Sequence, residues 1–351
     1  MRRTQPVKTR PVRHRRAARL FLAAAVCLGL VTACSAPGGG DDAKGASDKG
    51  SSGGFPVSLA NAWGTTKVPK RPVKVATVSD GDTAIALALG IVPVITPDVE
   101  DGKKMAAYKR RALDKLGAKK LKTYDDTDGT DYEAIAAEEP DVILGVNTWE
   151  MDTDYDKLTP IAPVVTFTDK KQTNTMTWQD RLKTAARALG LSAEAEGVIA
   201  HNRKVTATHA AAFSELRGAT YTYAVVHPEQ ISYMSYADQD PGVFEELGLR
   251  KSAKAKNYAP DRNGVSLENL DQLEADVLLM TYPFGDEGVI SRSELSGNKL
   301  FRSLKAVRGG HFAVVPSDNG LASAIAYPNA LSAPWVVEKL TPLLAKALKG
   351  K

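Results

Sequence analysis

Residues 131–145, DYEAIAAEEPDVILG, and residues 266–280, SLENLDQLEADVLLM, align position for position at an offset of 135. Glu133 falls opposite Glu268, Ile135 opposite Leu270, Glu139 opposite Glu274, Asp141 opposite Asp276, and Val142 opposite Val277. Residues 132–138 have the pattern of a helix broken by Pro140, and 141–145 that of a buried strand. A repeated helix-to-strand unit implies two similar halves. Working outward, residues 73–78 read as another buried strand, 82–89 as a helix ended by Gly90, and 91–95 as the next strand. Such alternation predicts α/β layers around a largely parallel sheet, with ligand-facing loops at the carboxyl ends of the strands. Leu89-Gly90-Ile91 and Leu247-Gly248-Leu249 each close a helix and echo each other more weakly.

Between the halves, residues 177–189 read as one helix and 192–213 as a longer one, with Ser192 as N-cap and Glu194 and Glu196 in the first turn. At 1.5 Å per residue the longer helix would run about 33 Å. It either joins two lobes as a stiff strut or packs along one of them. The expected partition is a leader at 1–33, a tether at 34–54, an N-terminal lobe at 55–191, a linking helix at 192–213 and a C-terminal lobe at 214–351.

The leader holds Arg2, Arg3, Lys8, Arg10, Arg13, Arg15, Arg16 and Arg19, then an apolar stretch at 20–31 and Val31-Thr32-Ala33-Cys34. The apolar stretch is shorter than the ~20 residues a membrane span needs. This layout resembles bacterial lipoprotein signals, which implies removal of 1–33 and acylation of Cys34 as an anchor on the outer face of the cell membrane. Arg15-Arg16 leaves export by the Sec or the twin-arginine route open. Residues 35–54 are rich in Gly and Ser and contain no large apolar side chain, so they read as a flexible tether. The eight leader cations carry no matching acid, so the formal charge of +5 becomes −3 without them. A mildly acidic body with no clustered Lys and Arg excludes nucleic acid as the expected partner. The cysteines are Cys27 and Cys34 only, so the body relies on its core and on no disulfide.

Further motifs recur along the body: Gly64-Thr65-Thr66 with Val68-Pro69, Ala88-Leu89-Gly90-Ile91-Val92-Pro93, Glu139-Pro140-Asp141-Val142-Ile143, Ile161-Ala162-Pro163, Ala275-Asp276-Val277, and Leu304-Lys305-Ala306-Val307-Arg308. Together they resemble the substrate-binding lipoproteins of ABC importers for iron-siderophore complexes and vitamin B12. That resemblance implies two Rossmann-like lobes joined by one long helix, a ligand cleft between them, and little movement on binding. It also implies a monomer that delivers a ferric siderophore to a permease and its ATPase. Glu133 and Glu268 match the acids that meet permease arginines in this family.

A ferric siderophore presents a metal that is already fully coordinated, so its receptor needs stacking surface and a few hydrogen bonds rather than metal ligands or a cofactor. Aromatics in post-strand loops are therefore the expected contacts: Trp149, Tyr233 with Tyr236, and Tyr282 with Phe284. By resemblance to hydroxamate-siderophore binders, Tyr327 is a further contact, and Tyr258 and Arg262 fall near another contact loop. Catecholate complexes carry strong negative charge and call for a cluster of cations, whereas hydroxamate complexes are near neutral. Arg262, Arg292 and Lys122 are scattered, which favours a trishydroxamate; a catecholate, cobalamin or haem, or a sensor on the same fold, is the alternative. His201, His209, His227 and His311 do not form a metal-ligand pattern, and no G-x-S-x-G, H-E-x-x-H or phosphate-binding glycine motif suggests an enzyme.

Overall fold

The two aligned stretches fold into matching units around a shared device. Asp141 and Asp276 each stand one residue before a buried strand, and each carboxylate ties down the start of the neighbouring parallel strand. Asp141 Oδ2 accepts from the backbone N–H of Val73 and Lys74, both at 2.9 Å. Asp276 Oδ2 accepts from the backbone N–H and the hydroxyl of Thr220, both at 2.7 Å. These hydrogen bonds hold both carboxyls below the usual range.

The protein is described here by a computed structural model covering residues 54–98, 105–171, 175–233, 242–254 and 264–350. Its first half opens with the hairpin β1 (Val57–Asn61) and β2 (Gly64–Val68). The sequence then runs β3 (Val75–Thr77), α1 (Asp80–Ala88), β4 (Thr96–Pro97), α2 (Ala107–Lys115), β5 (Thr123–Tyr124), α3 (Tyr132–Ala137), β6 (Val142–Leu144), α4 (Met151–Leu158) and β7 (Val164–Val165). Strands β3, β6 and β7 pair in parallel, β4 and β5 pair in parallel, and a parallel bridge from Ala76 to Ile95 connects the two groups. The expected strand at 91–95 is replaced by irregular chain: Pro93 has no N–H to give a ladder, and regular pairing starts only at Thr96.

Helix α5 (Trp178–Leu189) ends at Gly190 in the left-handed conformation, φ 68°. Helix α6 (Ser192–Ala212) follows, 21 residues long. Ser192 is its first helical residue rather than its N-cap; Leu191 holds that place and offers no side-chain acceptor. The second half contains β8 (Thr220–Val226), β9 (Ile231–Tyr233), α7 (Val243–Glu246), β10 (Arg250–Lys251), β11 (Gly264–Val265), β12 (Val277–Thr281), α8 (Arg292–Gly297), α9 (Lys299–Ser303), α10 (Lys305–Arg308), β13 (Phe312–Val314), α11 (Leu321–Ala326) and α12 (Ser332–Leu348). Its sheet runs β11-β9-β8-β12-β13, with β10 beside the start of β8; β9 is antiparallel to β8, whereas β10, β12 and β13 extend the parallel set.

Each half has its own core. Leu144, Leu182 and Ile199 belong to one cluster of the first half, and Leu279, Leu340 and Leu344 to one cluster of the second. Helix α6 serves both: Ala195 and Ile199 pack in the first cluster, Val205 and Ala210 against the second. It is a strut between two lobes and not a helix lying on one. Its Asn202, buried, donates at 2.9 Å to the carbonyl of Ala330, which itself sits in the core of the first half. A second bridge joins the halves through α2: the Tyr108 ring lies 5.5 Å from that of Trp335, and Arg111 pairs with Glu338 at 3.6 Å. Among the described residues no helix is long and apolar enough to cross a membrane.

Candidate functional site

The carboxyl ends of β3 and β6 lead into a small crevice. Gly81 and Ile85 reach it from α1, Asn147 from the turn after β6, Trp178 and Arg181 from α5, and Pro328 to Ala330 from the link between α11 and α12. The crevice thus takes residues from both sides of the strut. A Cβ on Gly81 would lie 1.6 Å from the Asn147 amide nitrogen, so a larger residue there would displace the Asn147 side chain. Next to it, a Cβ on Gly145 would lie 2.1 Å from the Met151 methyl, so the turn between β6 and α4 packs tightly at both ends.

Asp82 lies under this turn, fully buried. Its Oδ1 accepts from the backbone N–H of Val146 at 2.9 Å and of Asn147 at 3.2 Å, and its Oδ2 accepts from the Ser79 hydroxyl at 2.6 Å. Burial pushes the carboxyl up to about 6, against the opposing pull of these donors and of Arg181. Burial also lowers Arg181, whose Nε donates to the Met176 carbonyl at 3.0 Å. The floor of the crevice is therefore a buried acid that fixes a backbone turn, and one wall is a partly desolvated guanidinium.

The expected contact residues fall into three groups. Trp149, two residues beyond Asn147, is 62% exposed, and Tyr327, next to Pro328, is 65% exposed. Both rings are free to offer a stacking face to a ligand. Phe284, just past β12, is 42% exposed and lies 5.5 Å from the His227 ring, whose pKa is lowered by burial. Tyr282 is half-buried against the core of the second half, its hydroxyl is shielded and has no hydrogen-bond partner among the described residues, and burial pushes it up to about 12. Tyr233 departs from expectation. It is 5% exposed, packs in the core, and donates to the Gln272 carbonyl at 2.7 Å, so it is a packing residue rather than a cleft contact. Tyr236, Tyr258, Arg262 and Cys34 lie outside the described residues.

Glu133 is exposed in the first turn of α3, capped by Asp131, whose side chain accepts from the Ala134 N–H at 2.9 Å. Glu268 is also exposed, in a turn just before the 3-10 segment Leu270–Leu273. Among the described residues no group of three or more His, Cys, Asp or Glu is placed to hold a metal ion. Sequence reading missed Asp82, Asn147, Arg181 and Asn329. Ser79 spaced three before Asp82 was the available signal for the first, and Asn147 follows a recognised strand.

Two α/β lobes, one long connecting helix and a crevice at the strand ends define a two-lobed ligand-binding protein. The chain belongs to the periplasmic binding protein family, whose model matches residues 75–319. It is 25% identical over 300 residues to the putative ABC transporter substrate-binding lipoprotein YhfQ of Bacillus subtilis, covering 80% of this chain and 85% of that one. It is 27% identical over 265 residues to the probable siderophore-binding lipoprotein YfiY of the same organism, covering 72% and 78%. Among solved structures, that of Streptococcus pneumoniae PiaA in complex with ferrichrome matches with a TM-score of 0.69 at 27% identity, covering 84% of this chain and 99% of PiaA. The fold is that of siderophore-binding ABC-transporter substrate-binding proteins, a transport family rather than an enzyme family.

Proposed function

We propose that this protein captures a ferric hydroxamate siderophore outside the cell and hands it to an ABC permease and its ATPase. The observation that carries the reading is the pair of open rings, Trp149 and Tyr327, each within two residues of a residue that lines the crevice, whose described lining includes one arginine, Arg181. The crevice is too small to enclose a bulky complex, which would rest across its mouth and stack on those rings. Among the described residues one guanidinium lines the crevice, which suits a near-neutral complex. The resemblance to PiaA, whose complex contains ferrichrome, supports the same ligand class.

In this reading Cys34 carries the lipid anchor, residues 35–54 tether a monomeric body to the outer face of the membrane, and iron enters only inside the siderophore, with no resident cofactor. Glu133 and Glu268 dock on the permease, one from each lobe. The names of YhfQ and YfiY, both lipoproteins, support the anchored location.

The test is tryptophan quenching of the compact unit Gly50–Lys351 on titration with ferrichrome, ferrioxamine B, ferric enterobactin and cobalamin. Submicromolar binding of a hydroxamate, with Trp149→Ala and Tyr327→Ala each weakening it about tenfold, is expected from the cost of truncating a stacked aromatic anchor. Preference for the catecholate or for cobalamin would overturn the ligand class.

A further inference from the structure

The exposed glutamates sit on segments too short to hold their own shape. Helix α3 has six residues, and the C-terminal counterpart is a four-residue 3-10 turn. Isolated helical pieces of this length do not persist in water, so the direction in which Glu133 and Glu268 point is set by what grips these segments from outside.

In the N-terminal lobe the grip is Asp154 of α4, a carboxylate that is 3% exposed. Thr130 donates to its Oδ2 and the Tyr132 hydroxyl to its Oδ1, each at 2.7 Å. Those two donors flank Asp131, the N-cap, and Tyr132 immediately precedes Glu133. In the C-terminal lobe the grip is Tyr233, at the end of β9, whose hydroxyl holds the Gln272 carbonyl of the 3-10 turn that follows Glu268. Burial raises the phenols of Tyr132 and Tyr233 above their usual range, so both remain donors at neutral pH. The two grips use different residue types on different elements, yet each ties the acid-bearing segment to an element that borders its lobe's strand-end loops. Helix α4 follows directly on the Trp149 turn, and β9 adjoins β8.

We propose that Asp154 and Tyr233 are positioning residues for docking, each fixing how its lobe presents Glu133 or Glu268 to the permease. This rests on the docking role proposed above. Neither residue enters the crevice, so ligand capture and delivery separate in variants of these two positions.

The experiment replaces the chromosomal gene with full-length variants and measures uptake of radioactive iron from whichever of ferrichrome or ferrioxamine B the purified protein binds. Immunoblots of membranes normalise for abundance. Asp154→Asn and Tyr233→Phe are expected to lower saturated uptake at least threefold each, with Kd for the same siderophore within twofold of the parent. The pair together should approach the Glu133→Ala, Glu268→Ala double variant. Thr130→Val removes one arm of the first grip without altering the buried acid and should give a smaller loss. Normal uptake by the Asp154→Asn, Tyr233→Phe double variant, or uptake losses matched by equal losses of affinity or abundance, would overturn the proposal. If the Glu133→Ala, Glu268→Ala variant itself transports normally, the docking reading fails first, and this inference falls with it.

Discussion

Glu139 and Glu274 occupy the same place in the two repeats and do opposite things. Glu274 turns inward to cap α10: its carboxylate accepts from the backbone N–H of Lys305 at 2.7 Å and of Ala306 at 3.0 Å. Glu139 points into water, 85% exposed at its side chain, with its backbone in the left-handed region at φ 47° and only a loose contact to Lys74 at 3.7 Å. Two residues on, Asp141 and Asp276 keep one role between them. The lesson is that a repeat persists where both lobes supply the same partner, here the start of a neighbouring parallel strand, and drifts where only one lobe supplies one. The C-terminal lobe contains an α10 for Glu274 to cap; Glu139 has only an exposed lysine.

The largest test of the comparison is in the cores. Leu144→Ala and Leu279→Ala each remove a fully buried side chain from equivalent strands and should each cost about 2 to 5 kcal/mol. Because α6 packs in both cores, chemical denaturation should show one transition for either variant; two separated transitions would mean that the lobes unfold independently.

Next comes a difference between lobes that pH exposes. Asp82 binds its proton more tightly in the folded chain, with a pKa of about 6 against an ordinary 3.8, so its contribution to stability is greatest below about pH 4 and declines as pH rises towards 6. About two pKa units correspond to about 3 kcal/mol. Thermal melts of Asp82→Asn should lose that slope between pH 4 and 6, and a slope identical to the parent's would break the assignment.

The conserved pair should behave alike. Asp141→Asn and Asp276→Asn each weaken two charge-assisted hydrogen bonds, about 1 to 2 kcal/mol. Both carboxyls lie below their ordinary pKa, so this stability is present above about pH 4 and is lost as pH falls through the lower folded values. Unequal losses measured at neutral pH would show that one strand start is held by something else. The smallest effects separate the diverged pair: Glu274→Ala should cost about 1 kcal/mol by uncapping α10, whereas Glu139→Gly should gain a few tenths to about 1 kcal/mol by relieving the left-handed backbone. A loss at Glu139→Gly would contradict that account.

The two halves, their parallel strands and the long strut were legible because each rests on local pattern: periodicity, Gly and Pro punctuation, and a repeat whose aspartates each stand one residue before a buried strand. The site was less legible for identifiable reasons. Arg181 and Asn329 meet across the crevice from positions 148 apart, and nothing local to either announces the encounter. Tyr233 lies on a strand whose Ile231, Ser232 and Tyr233 are all buried, so alternation carried no information about which side faces the cleft. The second repeat is a 3-10 turn where the first is an α-helix capped by Asp131; at the corresponding position Ser266 instead accepts at 2.9 Å from the side chain of Asn269. Trp149, in contrast, follows a strand the sequence did reveal, and Tyr327 was found only through the family resemblance.

The clasp between α2 and α12, Tyr108 on Trp335 with Arg111 beside Glu338, has a mechanical consequence when set beside the strut. Two bodies joined by one rod can bend and twist about it in any direction. Pinned at a second, separate place, and with Ala330 seated in the core of the first half, they resist both, and that resistance holds Glu133 and Glu268 at a set spacing.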